Sequence, residues 1–339
     1  MSVAVADRIV CPACAGELRP SDEKLACDRC ERRYPLVAGI PDLRLSYPDP
    51  YVSWEEDVAR ARELAERFDE LDFAGLLREH WVRSGKPREL AQRFVAGDLA
   101  SLERSVAYLG EIERERGATL GPEDRFLEIG CGTAGLAAGV VGRAGEVVAS
   151  DISMRWLILA KKRLGEAGIE TVKLLCCAAE DPPFSPGSFD IVAASDVVEH
   201  VADQERFVRG CRRLLRSGGL LFLATPNRFS LGLEPHVRLW GVGLLPRGLA
   251  RRYVAAFRKA PYDHVHLLSA RALRRLLARH GFMVTIVPPE IPAATQRMYT
   301  GLELRLVRGY NRVRRIAPIR RLLMAVGPFF HVFARKGVE

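Results

Sequence analysis

From Arg125 onward, short apolar runs alternate with longer mixed stretches. The runs stand at Phe126-Leu127, Glu146 to Ser150, Thr171 to Cys177, Ser188 to Ser195, Leu220 to Asn227, Gly281 to Val287 and Phe329 to Lys336. Each is short, apolar and rich in β-formers, and each predicts a strand. Between them, Arg155 to Glu166 (closed by Gly168), Cys211 to Arg216 (stopped by Gly218 and Gly219) and Ala270 to His280 predict helices. Strands and helices in alternation predict an open α/β sheet. Upstream, Ser53 to Gly117 is rich in Glu, Arg, Ala and Leu and predicts several helices. Its aromatics, Trp54, Phe68, Phe73, Trp81 and Phe94, are expected mostly to pack on the sheet. Before the last run, Leu302, Leu306, Tyr310 and Val313, then Ile319, Leu322 and Leu323, recur at helical spacing among arginines. They predict a basic amphipathic helix.

The first strand runs into Glu128-Ile129-Gly130-Cys131-Gly132-Thr133-Ala134-Gly135. Glycines at such a turn let the backbone approach a ligand closely. Asp151, at the end of the second strand, can take the two hydroxyls of a ribose. Gly130-x-Gly132-x-x-Gly135 fits a dinucleotide fingerprint formally, and a glycine-rich turn with no ligand is the plain alternative. The acid two residues ahead of Gly130 points elsewhere. Glu128-x-Gly130-Cys131-Gly132 resembles the first motif of class I S-adenosylmethionine-dependent methyltransferases, with Ala134 where that family usually has a third glycine.

Later motifs keep the family's order. Ala178-Ala179-Glu180-Asp181-Pro182-Pro183-Phe184 resembles the segment that flanks the adenine. The acid that often meets the adenine amino group aligns with Ala178, so Glu180, Asp181 or a backbone group is expected there. Ser188 to Val201, ending in Ser195-Asp196-Val197-Val198-Glu199-His200, resembles the ubiquinone-biosynthesis, or type 11, small-molecule methyltransferases, where a Glu-His pair often stands. The resemblance implies a Rossmann-like seven-stranded sheet whose last strand is antiparallel, with S-adenosylmethionine as cofactor. The implied cofactor contacts are Glu128, Gly130, Cys131, Gly132, Gly135, Asp151, Ile152, Glu180, Asp181 and Ser195.

Cys11-x-x-Cys14 and Cys27-x-x-Cys30 are two knuckles separated by twelve residues. Four thiolates so spaced suit one structural Zn²⁺ and leave no open position for catalysis. Chance pairs or disulfides are the alternative. No secretory leader is apparent, so reduced thiols and a cytoplasmic location are expected. The surrounding sequence, roughly residues 8 to 45, resembles the small zinc ribbons that activate transfer-RNA and release-factor methyltransferases. The expected organisation is a zinc ribbon over 1–46, a helical linker or cap over 47–118 and a methyltransferase domain over 119–339. That domain carries an insertion at 228–268 and a basic helical segment at 297–327. Cys131, Cys176, Cys177 and Cys211 sit in apolar contexts and are expected to be small buried residues.

Charge adds one point. The net charge is +9, and Arg297 to Glu339 holds ten Lys or Arg against two acids. A solvated arginine face is the plain reading. The functional readings are contact with an anionic membrane surface, making the protein peripheral to the membrane, or with RNA phosphates. No apolar run approaches the ~20 residues of a spanning helix.

Ligands of open α/β sheets bind beyond the carboxyl ends of the strands, so the insertion after Asn227 is expected over the transferred methyl. It carries Glu234-Pro235-His236, an apolar stretch around Trp240, and Asp263, His264 and His266. Methyl transfer needs an aligned acceptor and excluded water, and an oxygen acceptor gains from a general base. His200, His264 and His266 are the candidate bases. After the fourth strand there is no Asn/Asp-Pro-Pro-Tyr of amino-directed enzymes. Thr225-Pro226-Asn227 offers no cysteine nucleophile for cytosine C5 chemistry. The expected function is O-methylation of a hydrophobic, glycosylated or lipid-linked small molecule. An RNA methyltransferase clamped by ribbon and basic helix is a second reading, and a non-catalytic zinc-ribbon regulator is a third.

Overall fold

The structure is a computed structural model that describes residues 8–21, 24–47, 52–85, 88–259, 261–297 and 299–338. Four short strands come first: β1 (Leu18–Ser21), β2 (Lys24–Cys27), β3 (Arg33–Val37) and β4 (Ile40–Pro41), an antiparallel sheet in that order. Helices α1 (Trp54–Glu66), α2 (Phe73–Arg83), α3 (Arg88–Leu99) and α4 (Ser101–Arg116) follow. The alternating part then runs β5 (Arg125–Ile129), α5 (Gly135–Val140), β6 (Glu146–Asp151), α6 (Met154–Glu166), β7 (Val172–Cys176), β8 (Phe189–Ser195), α7 (Gln204–Leu214) and β9 (Leu215–Pro226). It closes with α8 (Arg247–Arg258), α9 (Ala270–Arg279), β10 (Phe282–Val287), α10 (Ala293–Gln296), α11 (Gly301–Val313), α12 (Ala317–Val326) and β11 (Phe329–Lys336).

The large sheet has seven strands in the order β10-β11-β9-β8-β5-β6-β7. Strands β9, β8, β5, β6 and β7 are parallel, and β11 is antiparallel to both β9 and β10. Both faces are covered, which is why its strands read as unbroken apolar runs. Successive side chains go to opposite faces. Leu127, Val148, Val192 and Leu221 pack with Phe207, Leu273 and Leu277 of α7 and α9. Phe126, Val147, Ile191 and Phe222 pack with Leu76, Leu109 and Leu157 of α2, α4 and α6. This is a Rossmann-like α/β fold.

Two boundaries differ from the sequence reading. The helix expected at Cys211 to Arg216 begins at Gln204, because the Asp203 carboxylate accepts from the Arg206 amide at 2.9 Å and caps it. It ends before the glycines. Leu215 already pairs with Phe189, and the next pair is Leu220 with Ile191, so residues 216–219 loop out of β9 as a bulge. Gly218 takes φ +73° there. The basic segment is two main helices, not one. Pro318 in the first turn of α12 supplies no amide to continue α11.

The N-terminal segment is stitched to the large sheet. The Val10 amide donates to Pro183 O at 2.9 Å, Ser185 N to Arg8 O at 3.0 Å and Leu43 N to Cys176 O at 2.8 Å. Leu18, Leu25, Tyr34 and Leu43 share one core with Phe184, Phe189 and Val208.

Candidate functional site

The turn after β5 is shaped by what surrounds it. Gly130 has φ +67°, and a Cβ there would stand 2.3 Å from Val197 Cγ2, so the turn is pressed against the segment after β8. Gly132 has φ +51°, and a Cβ there would meet no protein atom within 4 Å. That open side is where a ligand can lie. Gly135 serves packing instead: a Cβ would stand 2.3 Å from Ser101 Oγ on α4. Ala134 holds the left-handed conformation, φ +54°, that a glycine would adopt without strain. Cys131 is buried, and its amide donates to Ser150 O at 2.9 Å.

Asp151 lies at the carboxyl end of β6. Its Oδ2 accepts from Gly132 N at 2.9 Å and its Oδ1 from Ser153 N at 2.8 Å. Each oxygen keeps a further lone pair. Glu128 is buried beneath the turn and accepts from Ala137 N at 2.8 Å; burial pushes its pKa up to about 8. Its bond is to the start of α5, so it shapes the turn from below. Glu180 accepts from Ala202 N at 3.0 Å and joins the loop after β7 to the segment after β8. Asp181 is exposed and paired with Arg206 of α7. Ser195, at the end of β8, donates to Asp196 Oδ2 at 3.2 Å.

A buried ionic network backs this pocket. Arg44 donates to Asp42 at 2.6 and 2.8 Å, to Asp57 at 2.7 Å and to the carbonyl of Ile152 at 3.0 Å. Asp57 also accepts from Met154 N at 2.8 Å and Arg155 Nη1 at 2.7 Å. The side chains of Arg44 and Asp57 are 0 % exposed, so every charge here depends on its partners. The network fixes Ile152, Ser153 and Met154, the residues that follow Asp151. Nothing in the sequence pointed to Arg44 or Asp57.

Across the turn lies the other half of the site. His200 follows β8, and the chain from β9 folds back so that His236 Nε2 comes within 3.0 Å of His200 Nε2. His236 Nδ1 pairs with the buried carboxylate of Glu234. Burial pulls the His236 pKa down, but Glu234 outweighs it and the net shift is upward. His264 stacks on His200 with ring centroids 6.2 Å apart. His266 donates its amide to Glu199 O at 2.7 Å, while its ring meets Arg247. Partial burial, then Arg247, lowers its pKa. Glu199 is buried, and its Oε2 accepts from Thr225 Oγ1 at 2.9 Å. Burial raises the Glu199 pKa to about 8, and its Oε1 has no hydrogen-bond partner. Donor atoms of Glu199, His200 and His236 lie within 4.8 Å of one another, a spacing that can hold a cation. His236, which sequence reasoning did not select, is the histidine that touches His200. The Glu234-x-His236 spacing was its signal.

At the far end, the sulfurs of Cys11, Cys14, Cys27 and Cys30 lie within 4.8 Å of one another. Cys11–Cys30 is 3.7 Å and Cys14–Cys27 is 3.4 Å, and none of the four forms a disulfide.

A glycine turn and a ribose-ready acid at the carboxyl ends of adjacent central strands define a nucleoside-binding protein of the doubly wound α/β class. Residues 127–223 match the family described as "Methyltransferase domain". The chain is 35% identical over 184 residues to a ubiquinone biosynthesis O-methyltransferase of Parvibaculum lavamentivorans, covering 52% of this chain and 69% of that protein. A protein of the same name from Mesorhizobium japonicum is 35% identical over 180 residues, covering 52% and 70%. Among solved structures, Haemonchus contortus phosphoethanolamine N-methyltransferase 2 with S-adenosyl-L-methionine aligns with TM-score 0.47 at 18% identity, covering 70% of this chain and 53% of that one. The chain belongs to the class I S-adenosylmethionine-dependent methyltransferases. It is therefore a methyltransferase, which sets aside the non-catalytic reading.

Proposed function

We propose that this methyltransferase acts on a hydroxyl of a small hydrophobic, glycosylated or lipid-linked molecule. The Glu234–His236–His200 line beside the donor turn carries the reading, and the names of the relatives support the oxygen acceptor. S-adenosylmethionine supplies a methyl group on a positively charged sulfur. Asp151 takes the ribose hydroxyls with the lone pairs left over from Gly132 and Ser153, and the open face of Gly132 receives the cofactor. The insertion bearing His236 covers the acceptor and keeps water from it. His236 donates Nδ1–H to Glu234, so its Nε2 accepts from His200 Nε2–H and His200 Nδ1 holds the lone pair. The acceptor oxygen would bond to the methyl carbon as the carbon–sulfur bond breaks and its electron pair returns to sulfur, leaving a neutral thioether, while the hydroxyl proton passes to His200 Nδ1. The His200 Nε2 proton then moves to His236, whose positive charge Glu234 balances. His264 and His266 frame this pair.

The unpartnered Glu199 Oε1 favours a second reading, in which Glu199, His200 and His236 hold a divalent cation against the acceptor oxygen. The four cysteines fit a Zn²⁺: with Zn–S about 2.3 Å, tetrahedral sulfurs stand roughly 3.8 Å apart, close to the separations found here. That metal is structural.

The test is calorimetry with S-adenosylhomocysteine, then methyl transfer to phenolic and amine acceptors. Asp151→Ala should weaken cofactor binding about 100-fold or more, since it removes two charge-assisted hydrogen bonds. His236→Ala should keep cofactor affinity and slow phenol methylation by roughly 100-fold. Methylation of amines alone would overturn the oxygen reading. Loss of activity on chelation, restored by Mn²⁺ in the wild type and not in His236→Ala, would favour the cation over the relay.

A further inference from the structure

The exposed apolar side chains are not spread evenly. Of eighteen large apolar residues exposed among the described residues, eleven lie in 229–257 or 302–322. They include Leu231, Trp240, Leu306 and Leu322, at 55%, 58%, 64% and 60% exposure. Helices α11 and α12 have no buried residue at all. The same stretches are strongly basic: residues 228–259 hold seven Lys or Arg and one acid, and 297–327 hold eight and one. The one acid in the first stretch, Glu234, is buried against His236.

These stretches meet in space. The Leu231 amide donates to Val326 O at 3.1 Å at the end of α12, and Asn227 Nδ2 donates to Ala325 O and Gly327 O at 3.0 and 2.9 Å. Trp240 Nε1 donates to Leu231 O at 3.0 Å, which ties the apolar part of the insertion to that junction. His236 lies between Leu231 and Trp240 in the chain and reaches inward to His200. The exposed apolar and basic surface therefore adjoins the wall of the acceptor site.

We propose that this surface, formed by α11, α12 and the segment 229–257, docks on an anionic lipid bilayer and sets the acceptor site against it. The inference rests on the methyltransferase reading only for the identity of the site. Basic helices with unburied leucines one turn apart match an interfacial helix, whose arginines meet headgroups while its apolar residues enter the acyl boundary. Phosphates of RNA would satisfy the arginines but leave Leu302, Leu306 and Leu322 in water, since single-stranded bases stack on aromatic rings and arginine planes. Lipid accounts for both halves of the surface.

The experiment is co-sedimentation of the full chain with phosphatidylcholine vesicles, with and without phosphatidylglycerol, over a range of salt. Calorimetry with S-adenosylhomocysteine is run on the same samples. Binding should require phosphatidylglycerol and fall with salt. Arg320→Gln with Arg321→Gln should lower partitioning about five-fold per charge removed. Leu306→Glu with Leu322→Glu should lower it roughly ten-fold or more, and all four substitutions should leave cofactor affinity unchanged. Cofactor binding without binding to anionic vesicles would overturn the docking surface and leave the methyltransferase standing. Absence of cofactor binding would strike the methyltransferase reading itself. Salt-sensitive binding of structured RNA by a protein that ignores vesicles would transfer the surface to RNA.

Discussion

The two flanks of the site are built by opposite means. On the donor flank, the described residues within 8–66 press against β7, the loop after it and the residues that follow Asp151, with Arg44 and Arg155 both paired to the buried Asp57. On the acceptor flank, no residue of α11 or α12 is fully buried, and Leu302, Leu306 and Leu322 are exposed. A pocket whose walls are held before the ligand arrives loses little entropy in binding it. The acceptor flank is held by neutral hydrogen bonds from Asn227 and Leu231 to the end of α12 and by the contact of His236 with His200. The difference places the buried arginine–aspartate network on the donor flank and the exposed apolar helices on the other.

The largest effect expected from this contrast is in stability. Asp57→Ala takes from the buried Arg44 and Arg155 the one carboxylate they share, leaving Arg44 with Asp42 alone as counter-ion, and should cost about 3–5 kcal/mol in urea unfolding. Leu322→Glu, on the exposed flank, should change stability by less than about 0.5 kcal/mol. Equal losses would erase the distinction between the flanks. Removing metal from the four cysteines comes next. Hydrogen exchange should accelerate at the Val10 and Leu43 amides, which bond to Pro183 and Cys176, and remain unchanged through 229–257. Uniform acceleration would mean that the cysteine module is not specific to the donor flank.

A smaller effect concerns acid. Burial raises the Asp190 pKa, but Arg216 and both the amide and guanidinium of Arg125 outweigh it and hold the carboxyl below its usual range. A depressed folded pKa contributes stability above the unfolded value, lost as pH falls through the folded one. Asp190→Asn should therefore be less stable than the wild type near neutrality and converge with it below about pH 4. A gap that persists in acid would deny the ionic origin. The smallest change is Ala134→Gly, which relieves the left-handed strain and should gain at most about 1 kcal/mol. A loss in thermal unfolding would show that the alanine methyl, fully buried in the core, outweighs the strain.

The central strands were legible because parallel strands buried on both faces leave continuous apolar runs, and Phe189–Ser195 or Val172–Cys176 has few other readings. The donor turn was legible because its glycines and acids are close in sequence. Gly218 and Gly219 misled because glycine marks a helix stop and a bulge alike. His236 was undervalued because its partner is 36 residues away, and only the fold brings the insertion back over the strand ends. Arg44 and Asp57 were invisible: in a chain with 27% charged residues, nothing local distinguishes a buried charge from a solvated one.

The stitching of the N-terminal segment also orders events during synthesis. Arg8 donates to the carbonyl of Ser188, 180 residues further along the chain. Its neighbours pair with Pro183 and Ser185, and Leu43 pairs with Cys176. The four cysteines therefore leave the ribosome roughly 10–30 seconds before the strands that receive their module, at about 5–20 residues per second. During that interval the module has its own four short strands but not the large sheet it packs against. Its docking closes the cofactor pocket from behind, so the part of the site that is made early is completed late.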